Sequence, residues 1–216
     1  MSSRERKNRV CACIPFKNLK SCKTRLRDTL SQQQVEQLMI GLLCGVSSAL
    51  LNCPIIEEVW LFTADKEVVS KDPIFKDVHL IEDAEKLDLN DSFARAAQLA
   101  SNEDFTGMLF IHGDIPFLCS KELDQIISSW NGETVLLFSD KNFSGTNAIL
   151  TPLPAAISTM FGKNSLKRHV AMLIDSDHDF EILYYRSIAI DIDEVSDLNY
   201  LYSPCGYGNL LSRWKA

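Results

Sequence analysis

The chain has 216 residues, 46% hydrophobic and 24% charged, with a formal net charge of -7. Those proportions belong to an ordinary globular protein, and the length suits one α/β domain with a core large enough to fold unaided. The acidic balance argues against a non-specific nucleic-acid binder, which needs a basic face.

Residues 1–9 are polar and basic and lack the apolar stretch and cleavage site of a signal peptide. No run approaches the roughly 18 consecutive apolar residues of a membrane span. The expectation is a soluble cytoplasmic enzyme, with neither membrane nor nucleic acid as partner. Seven cysteines, odd in number and without a C-x-x-C pair, indicate no disulfide framework and no zinc knuckle.

Residues 10–14 form a short apolar run ended by Pro15, predicted as a first buried strand on which Cys11 and Cys13 alternate as small core residues. A loop rich in Lys and Arg follows. Ser31, with Gln34 three residues later, gives the capping-box signature of a helix start. Val35, Leu38, Met39, Leu42, Leu43, Val46 and Leu50 then recur at helical spacing until Asn52 and Pro54 stop the helix. Residues 59–62 read as a second strand. The three elements make a βαβ unit, so a parallel pair with a right-handed crossover is expected.

The alternation continues with a strand at 78–81, a helix at 91–100, a strongly apolar strand at 108–111, a helix around 123–127 and a strand at 135–138. After Gly145 the pattern changes. Strands are predicted at 147–150, 182–185 and 188–192, with one short helix around 166–173 and a last helix near 196–202. No internal repeat or low-complexity linker interrupts the chain. The expectation is a single domain over 1–216, an α/β sandwich whose mostly parallel sheet takes an antiparallel strand late in the order. Ligands of such sheets sit beyond the carboxyl ends of the strands, so chemistry-bearing residues should follow strands.

They do. Lys17, Lys20, Lys23 and Arg25 place four cations within nine residues directly after the first strand. Lysine and arginine there suit the neutralisation of phosphoryl oxygens, although a solvated basic loop would read the same and no Walker A pattern is present. Asp114 follows the fourth strand, with small Gly113 before it and Pro116 after it. A carboxylate so placed suits Mg²⁺, which takes one or two carboxylates and fills its shell with water and phosphate oxygens. A helix cap would sit closer to the helix, at Ser120. Asp191 and Asp193 fall by alternation on one side of the last predicted strand, whose other side is apolar; a second metal ligand and a cap for the helix near Ser196 are both open readings. Between these lie two glycine turns, 140–148 and 161–169. The second opens a helix whose N-terminal N–H groups suit an anion and whose natural cap is Ser165.

Five segments in this order, I-P-x-K-x-x-x-x-x-K-T-R-L, G-D-I-P-x-L, S-G-T-N-A-I-L, F-G-x-x-S-x-x-R-H and D-I-D-x-x-x-D-L, resemble the phospholactate guanylyltransferase family of coenzyme F420 biosynthesis. The resemblance runs from Ile14 to about Leu198. It implies a three-layer α/β/α sandwich of Rossmann-like nucleotidyltransferase type and a Mg²⁺-dependent transfer of GMP from GTP. The acceptor would be 2-phospho-L-lactate, phosphoenolpyruvate or 3-phosphoglycerate, with pyrophosphate released. By motif, Lys17, Lys23 and Arg25 would grip the GTP phosphates and, with Asp114, carry catalysis; Asp114, Asp191 and Asp193 would bind metal; Thr146, Gly162 and Ser165 would bind the phosphorylated acid. Asn90 would meet the guanine, although Asp88 stands where the family has glycine. No proton-transfer role is expected for His112. Another nucleotidyltransferase acceptor, such as a sugar phosphate or molybdopterin, and a non-catalytic nucleotide-binding module are the alternatives. A homodimer is left open, with Leu210, Leu211 and Trp214 as apolar residues that could cover the core or a partner.

Overall fold

The computed structural model describes residues 8–16, 19, 22–82 and 88–202. Among the described residues, seven strands form one sheet: β1 Val10–Phe16, β2 Ile56–Thr63, β3 His79–Glu82, β4 Gly107–Ile111, β5 Val135–Ser139, β6 Thr146–Pro152 and β7 Phe180–Leu183. Their order across the sheet is β3-β2-β1-β4-β6-β5-β7. Every neighbouring pair is parallel except those made by β6, which runs antiparallel between β4 and β5. The mixed, mostly parallel sheet with one late reversed strand is the expected one.

Strand alternation splits the core in two. Val10, Ala12 and Ile14 point to one face, Cys11 and Cys13 to the other. Helices α1 (Gln32–Leu51) and α4 (Ser120–Ser129) cover the first face; α3 (Leu89–Asn102) and α5 (Ser165–Asp175) cover the second. Three layers result. Helix α1 opens at Ser31 with the predicted capping box, Ser31 Oγ accepting the Gln34 N–H and the Gln34 side chain accepting the Ser31 N–H. At 20 residues and a mean hydropathy of 1.4, α1 is long and apolar enough to cross a membrane, yet Val35, Leu38, Leu42, Leu43, Val46 and Leu50 are packed into the core. Two single-turn helices, α2 (Lys66–Val69) and α6 (Arg186–Ala189), and the short α7 (Leu198–Tyr202) complete the fold.

Three local expectations are corrected. Strand β1 does not stop at Pro15 but pairs with β2 as far as Phe16↔Thr63. Its ladder with β4 ends at Cys13↔Phe110, so a residue without an N–H falls where β1 has only one neighbour. Residues 188–192 are not a strand: α6 occupies their start, and 190–193 continue as extended chain outside the sheet. The cap of α5 is Asn164, left-handed at φ 57°, and Ser165 is the first helical residue. The apolar C-terminal residues Leu210, Leu211 and Trp214 lie outside the described residues.

Candidate active site

Four strand ends meet at one rim. The carboxyl ends of β1, β4 and β5 and, because it is reversed, the start of β6 all open onto a cavity of about 830 Å³. Lys23, Arg25, Asp114, Thr146, Gly162, Ser165, Asp191 and Asp193 line it, with Phe16, His112 and Asp140 among their neighbours. Eight of the ten residues expected from the sequence therefore converge. Lys17 lies outside the described residues. Asn90 is not among the lining residues; its Oδ1 accepts the Phe161 N–H at 2.7 Å, tying α3 to the far wall of the cavity, while Leu89 beside it does line the space.

The acidic end is built from two turns. Gly113 lets the chain leave β4 tightly against the core. A methyl there would come within 3.1 Å of Leu43 Cδ1 and 3.2 Å of Ile14 Cγ2, closer than side chains normally approach. Asp114 follows, and its carbonyl accepts the Ile192 N–H at 3.3 Å, which docks the 190–193 segment onto the β4 turn. Alternation holds in that extended segment without a ladder: Ile190 and Ile192 are buried, Asp191 and Asp193 face the cavity. Asn147 Nδ2 donates to the Ile188 carbonyl at 3.0 Å and anchors the segment from below. Asp197 anchors it from beyond. One Asp197 oxygen accepts the N–H groups of Asp193 (3.0 Å) and Glu194 (2.9 Å), and the other pairs with Lys141. The cap of this turn is Glu194, with Asp197 as its capping-box partner three residues on, so neither Asp191 nor Asp193 is spent as a cap.

Oxygen atoms of Asp114, Asp191 and Asp193 lie within 4.8 Å of one another, close enough to share one cation. Lys23 reaches them from the β1 side. It sits left-handed at φ 48°, an uncommon conformation for a long side chain, and its ammonium is ion-paired to both Asp114 and Asp193. Burial opposes the charge on Lys23, but Asp114 and Asp193 outweigh it and raise its pKa. Burial, then the charges of Asp114 and Asp193, push Asp191 up to about 7. Asp193 goes the other way: burial opposes ionisation, and Lys23 overrides it. Arg25 Nη1 pairs with Glu194 Oε1 at 2.9 Å across a wet surface.

The opposite wall carries the cation Lys163 beside Gly162, and behind it lies a set of neutral hydrogen-bonding groups. Ser165 Oγ accepts the Thr146 N–H at 3.0 Å, and Thr146 Oγ1 lies 3.0 Å from His169 Nδ1. Gly162 turns at φ +112°, a conformation that suits glycine, and brings its backbone to the cavity edge. The α5 N-terminus is less open to an anion than its sequence suggested. The Ser165 N–H donates to the Gly162 carbonyl (3.1 Å) and the Leu166 N–H to the Ser144 carbonyl (3.2 Å), so the first two amides of that turn are engaged.

Residues 10–203 match the family described as guanylyl transferase CofC like. The chain belongs to this family. It is similar to a phosphoenolpyruvate guanylyltransferase of Sphaerobacter thermophilus, at 26% identity over 90% of this chain and 94% of the relative. It is 28% identical to a 3-phospho-D-glycerate guanylyltransferase of Colwellia psychrerythraea, over 87% and 89% of the two chains. It is 25% identical to a 2-phospho-L-lactate guanylyltransferase of Methanothermobacter thermautotrophicus, over 88% and 82%. Among solved structures, a nucleotidyl transferase from the same methanogen shares the fold, with a TM-score of 0.67 at 15% identity over 95% of this chain and 99% of that one.

Family membership leaves several neighbours of the site unread from sequence. His169, Asn147, Asp140, Lys141 and Asp197 all buttress residues that face the cavity. Asp140 Oδ1 accepts the Ser144 N–H at 2.7 Å and shapes the turn into β6. Asp140 and Asn147 stand in the glycine turn at 140–148, and His169 and Asp197 fall within the F-G-x-x-S-x-x-R-H and D-I-D-x-x-x-D-L segments, but nothing in the sequence gives any of the four a role. His112 lines the cavity half-buried, its pKa lowered first by burial of the ring, and its Nε2 has no hydrogen-bond partner among the described residues.

Proposed function

We propose that this protein is a guanylyltransferase that moves GMP from GTP to a small phosphorylated acid in coenzyme F420 biosynthesis, with Mg²⁺ held by Asp114, Asp191 and Asp193. The acceptor class is 2-phospho-L-lactate, phosphoenolpyruvate or 3-phosphoglycerate, as in the relatives named above. The observation that carries this reading is the carboxylate trio facing Lys23 and Arg25 across one cavity. A single globular domain, cytoplasmic and acting on small molecules alone, accompanies the reading.

The residues fit a hard divalent cation. All three donors are oxygens, which Mg²⁺ prefers. Asp114 Oδ1 is buried and lacks any hydrogen-bond partner among the described residues, an orphaned acceptor of the kind that a cation satisfies. Burial, reinforced by the charges of Asp114 and Asp193, raises the Asp191 pKa, and a cation held by the three would offset that cost. When bound, the ion supplies charge neutralisation on phosphoryl oxygens.

The remaining chemistry falls to the chain. An anionic phosphate oxygen of the acceptor attacks the α-phosphorus of GTP. The new P–O bond forms as the α–β bridging bond breaks, and the electron pair leaves with pyrophosphate. The attacking oxygen is already deprotonated, so no strong general base is required. Lys23 and Arg25 neutralise the triphosphate, exchanging their present carboxylate partners for phosphoryl oxygens. Thr146, Gly162 and Ser165 hold the acid so that its phosphate faces the nucleotide, and catalysis rests on this positioning and on charge.

Incubating the protein with GTP, Mg²⁺ and each of the three acids in turn tests the reading, with products identified by mass. One acid should yield its guanylylated diphosphate and an equivalent of pyrophosphate. GTP binding without turnover on any of them would leave a nucleotide-binding module instead. Turnover only with a sugar phosphate or molybdopterin would replace the acceptor.

A further inference from the structure

His169 is fully buried on α5, behind the cavity wall formed by Thr146 and Ser165, and both ring nitrogens are engaged. The Met160 N–H points at Nε2, 2.8 Å away. A backbone N–H can only donate, so Nε2 is the acceptor, and a neutral imidazole then carries its proton on Nδ1. That nitrogen lies 3.0 Å from Thr146 Oγ1, which must accept. Burial, with the charges of Arg168 and His112 against it, lowers the His169 pKa to about 4, so the ring is neutral at ordinary pH.

The direction of this chain has a consequence for the ligand. With its oxygen accepting from His169, the Thr146 hydroxyl keeps its own proton to donate, and Thr146 lines the cavity. Ser165 repeats the arrangement: its Oγ accepts the Thr146 N–H, and its proton is likewise left for the cavity. Two hydroxyls, each fed from behind by a protein donor, make a neutral pair of donors for an anionic oxygen.

We infer that His169 is a positioning residue that, through the relay Met160 N–H to Nε2 and Nδ1–H to Thr146, fixes the Thr146 hydroxyl as a donor to an anionic oxygen of the acceptor acid. The choice of ligand rests on the function proposed above; the relay does not. His169 has no contact with the metal carboxylates in this arrangement, so its effect should fall on the acid and spare the nucleotide.

The full chain, labelled with ¹⁵N at histidine, should show His169 as the Nδ1–H tautomer in long-range ¹H–¹⁵N spectra at pH 7, unchanged down to about pH 5. With GTP, Mg²⁺ and whichever acid the wild type uses, His169→Leu should raise KM for the acid about tenfold. Its kcat and KM for GTP should stay within about twofold. His169→Asn, which keeps a donor near the Nδ1 position, should recover most of the loss, and its melting temperature serves if the Leu variant fails to fold. In a Thr146→Val background, His169→Leu should have no further effect. An Nε2–H tautomer, equal losses for acid and GTP, or additive effects in the double variant would overturn the inference. A wild type that guanylylates none of the three acids, yet shows the Nδ1–H tautomer, would overturn the function and the acceptor assignment while leaving the relay standing.

Discussion

The two ends of the cavity are built on opposite principles. At the acidic end, three carboxylates and two cations stand close together, and each cation is paired with a group that has an alternative partner in the proposed reaction. At the other end, Thr146, Ser165 and His169 are buried and joined, with the Met160 backbone N–H, by neutral hydrogen bonds. The contrast follows from what each end must do. Charges that exchange partners bind and release a metal-nucleotide; neutral donors locked by packing hold an acid in one orientation without adding to the electrostatic conflict. The acidic end is consequently unfavourable for folding and favourable for chemistry, whereas the neutral end serves both.

The sharpest way to break this comparison is Asp114→Asn. The substitution should cut kcat/KM on the order of 10³-fold, through loss of a metal ligand. It should leave the melting temperature near that of the wild type, because it also relieves repulsion in the trio. Activity near normal would mean that the carboxylates are structural. A second test uses pH. Asp191 is pushed up to about 7 in the fold, above its ordinary range, so its contribution favours the folded state at low pH and is lost as pH rises through about 7. With chelator present, denaturant midpoints should fall from about pH 4 to about pH 7 and level off above it. Asp191→Asn or saturating Mg²⁺ should flatten that slope, and a slope that survives both would place the strain elsewhere. The smallest effect belongs to Arg25→Ala. Its ion pair with Glu194 is solvent-exposed on both sides, so stability should shift by less than about 0.5 kcal/mol while KM for GTP rises.

The neutral end was the harder one to read from sequence, and the reason is physical. Alternation and strand ends place Asp114, Asp191 and Asp193 on one rim because carboxylates beside apolar runs are conspicuous, and the basic loop after β1 stands out in an acidic chain. The Asp191/Asp193 geometry was expected for the right local cause, extended backbone with apolar residues on the other side, although the segment lies outside the sheet. Asp197 and His169 work through partners far away in sequence, Lys141 and Thr146, and no spacing rule links them. Caps showed the same limit. Ser31 was legible because its partner Gln34 is three residues away, whereas Ser165 looked like a cap and instead lends its oxygen to Thr146, 19 residues back. A late antiparallel strand was expected, but the strand order was not, and the place of β6 between β4 and β5, which brings Thr146 to the carboxyl rim, is a tertiary choice.

Anomalous diffraction from crystals grown with Mn²⁺ and a non-hydrolysable GTP analogue tests the central claim most directly. A manganese peak within coordination distance of Asp114 and at least one of Asp191 and Asp193, touching the nucleotide phosphates with Lys23 released toward them, is the predicted result. Nucleotide bound elsewhere, or bound in the cavity with Lys23 still clasped between Asp114 and Asp193 and no manganese on the trio, would contradict it.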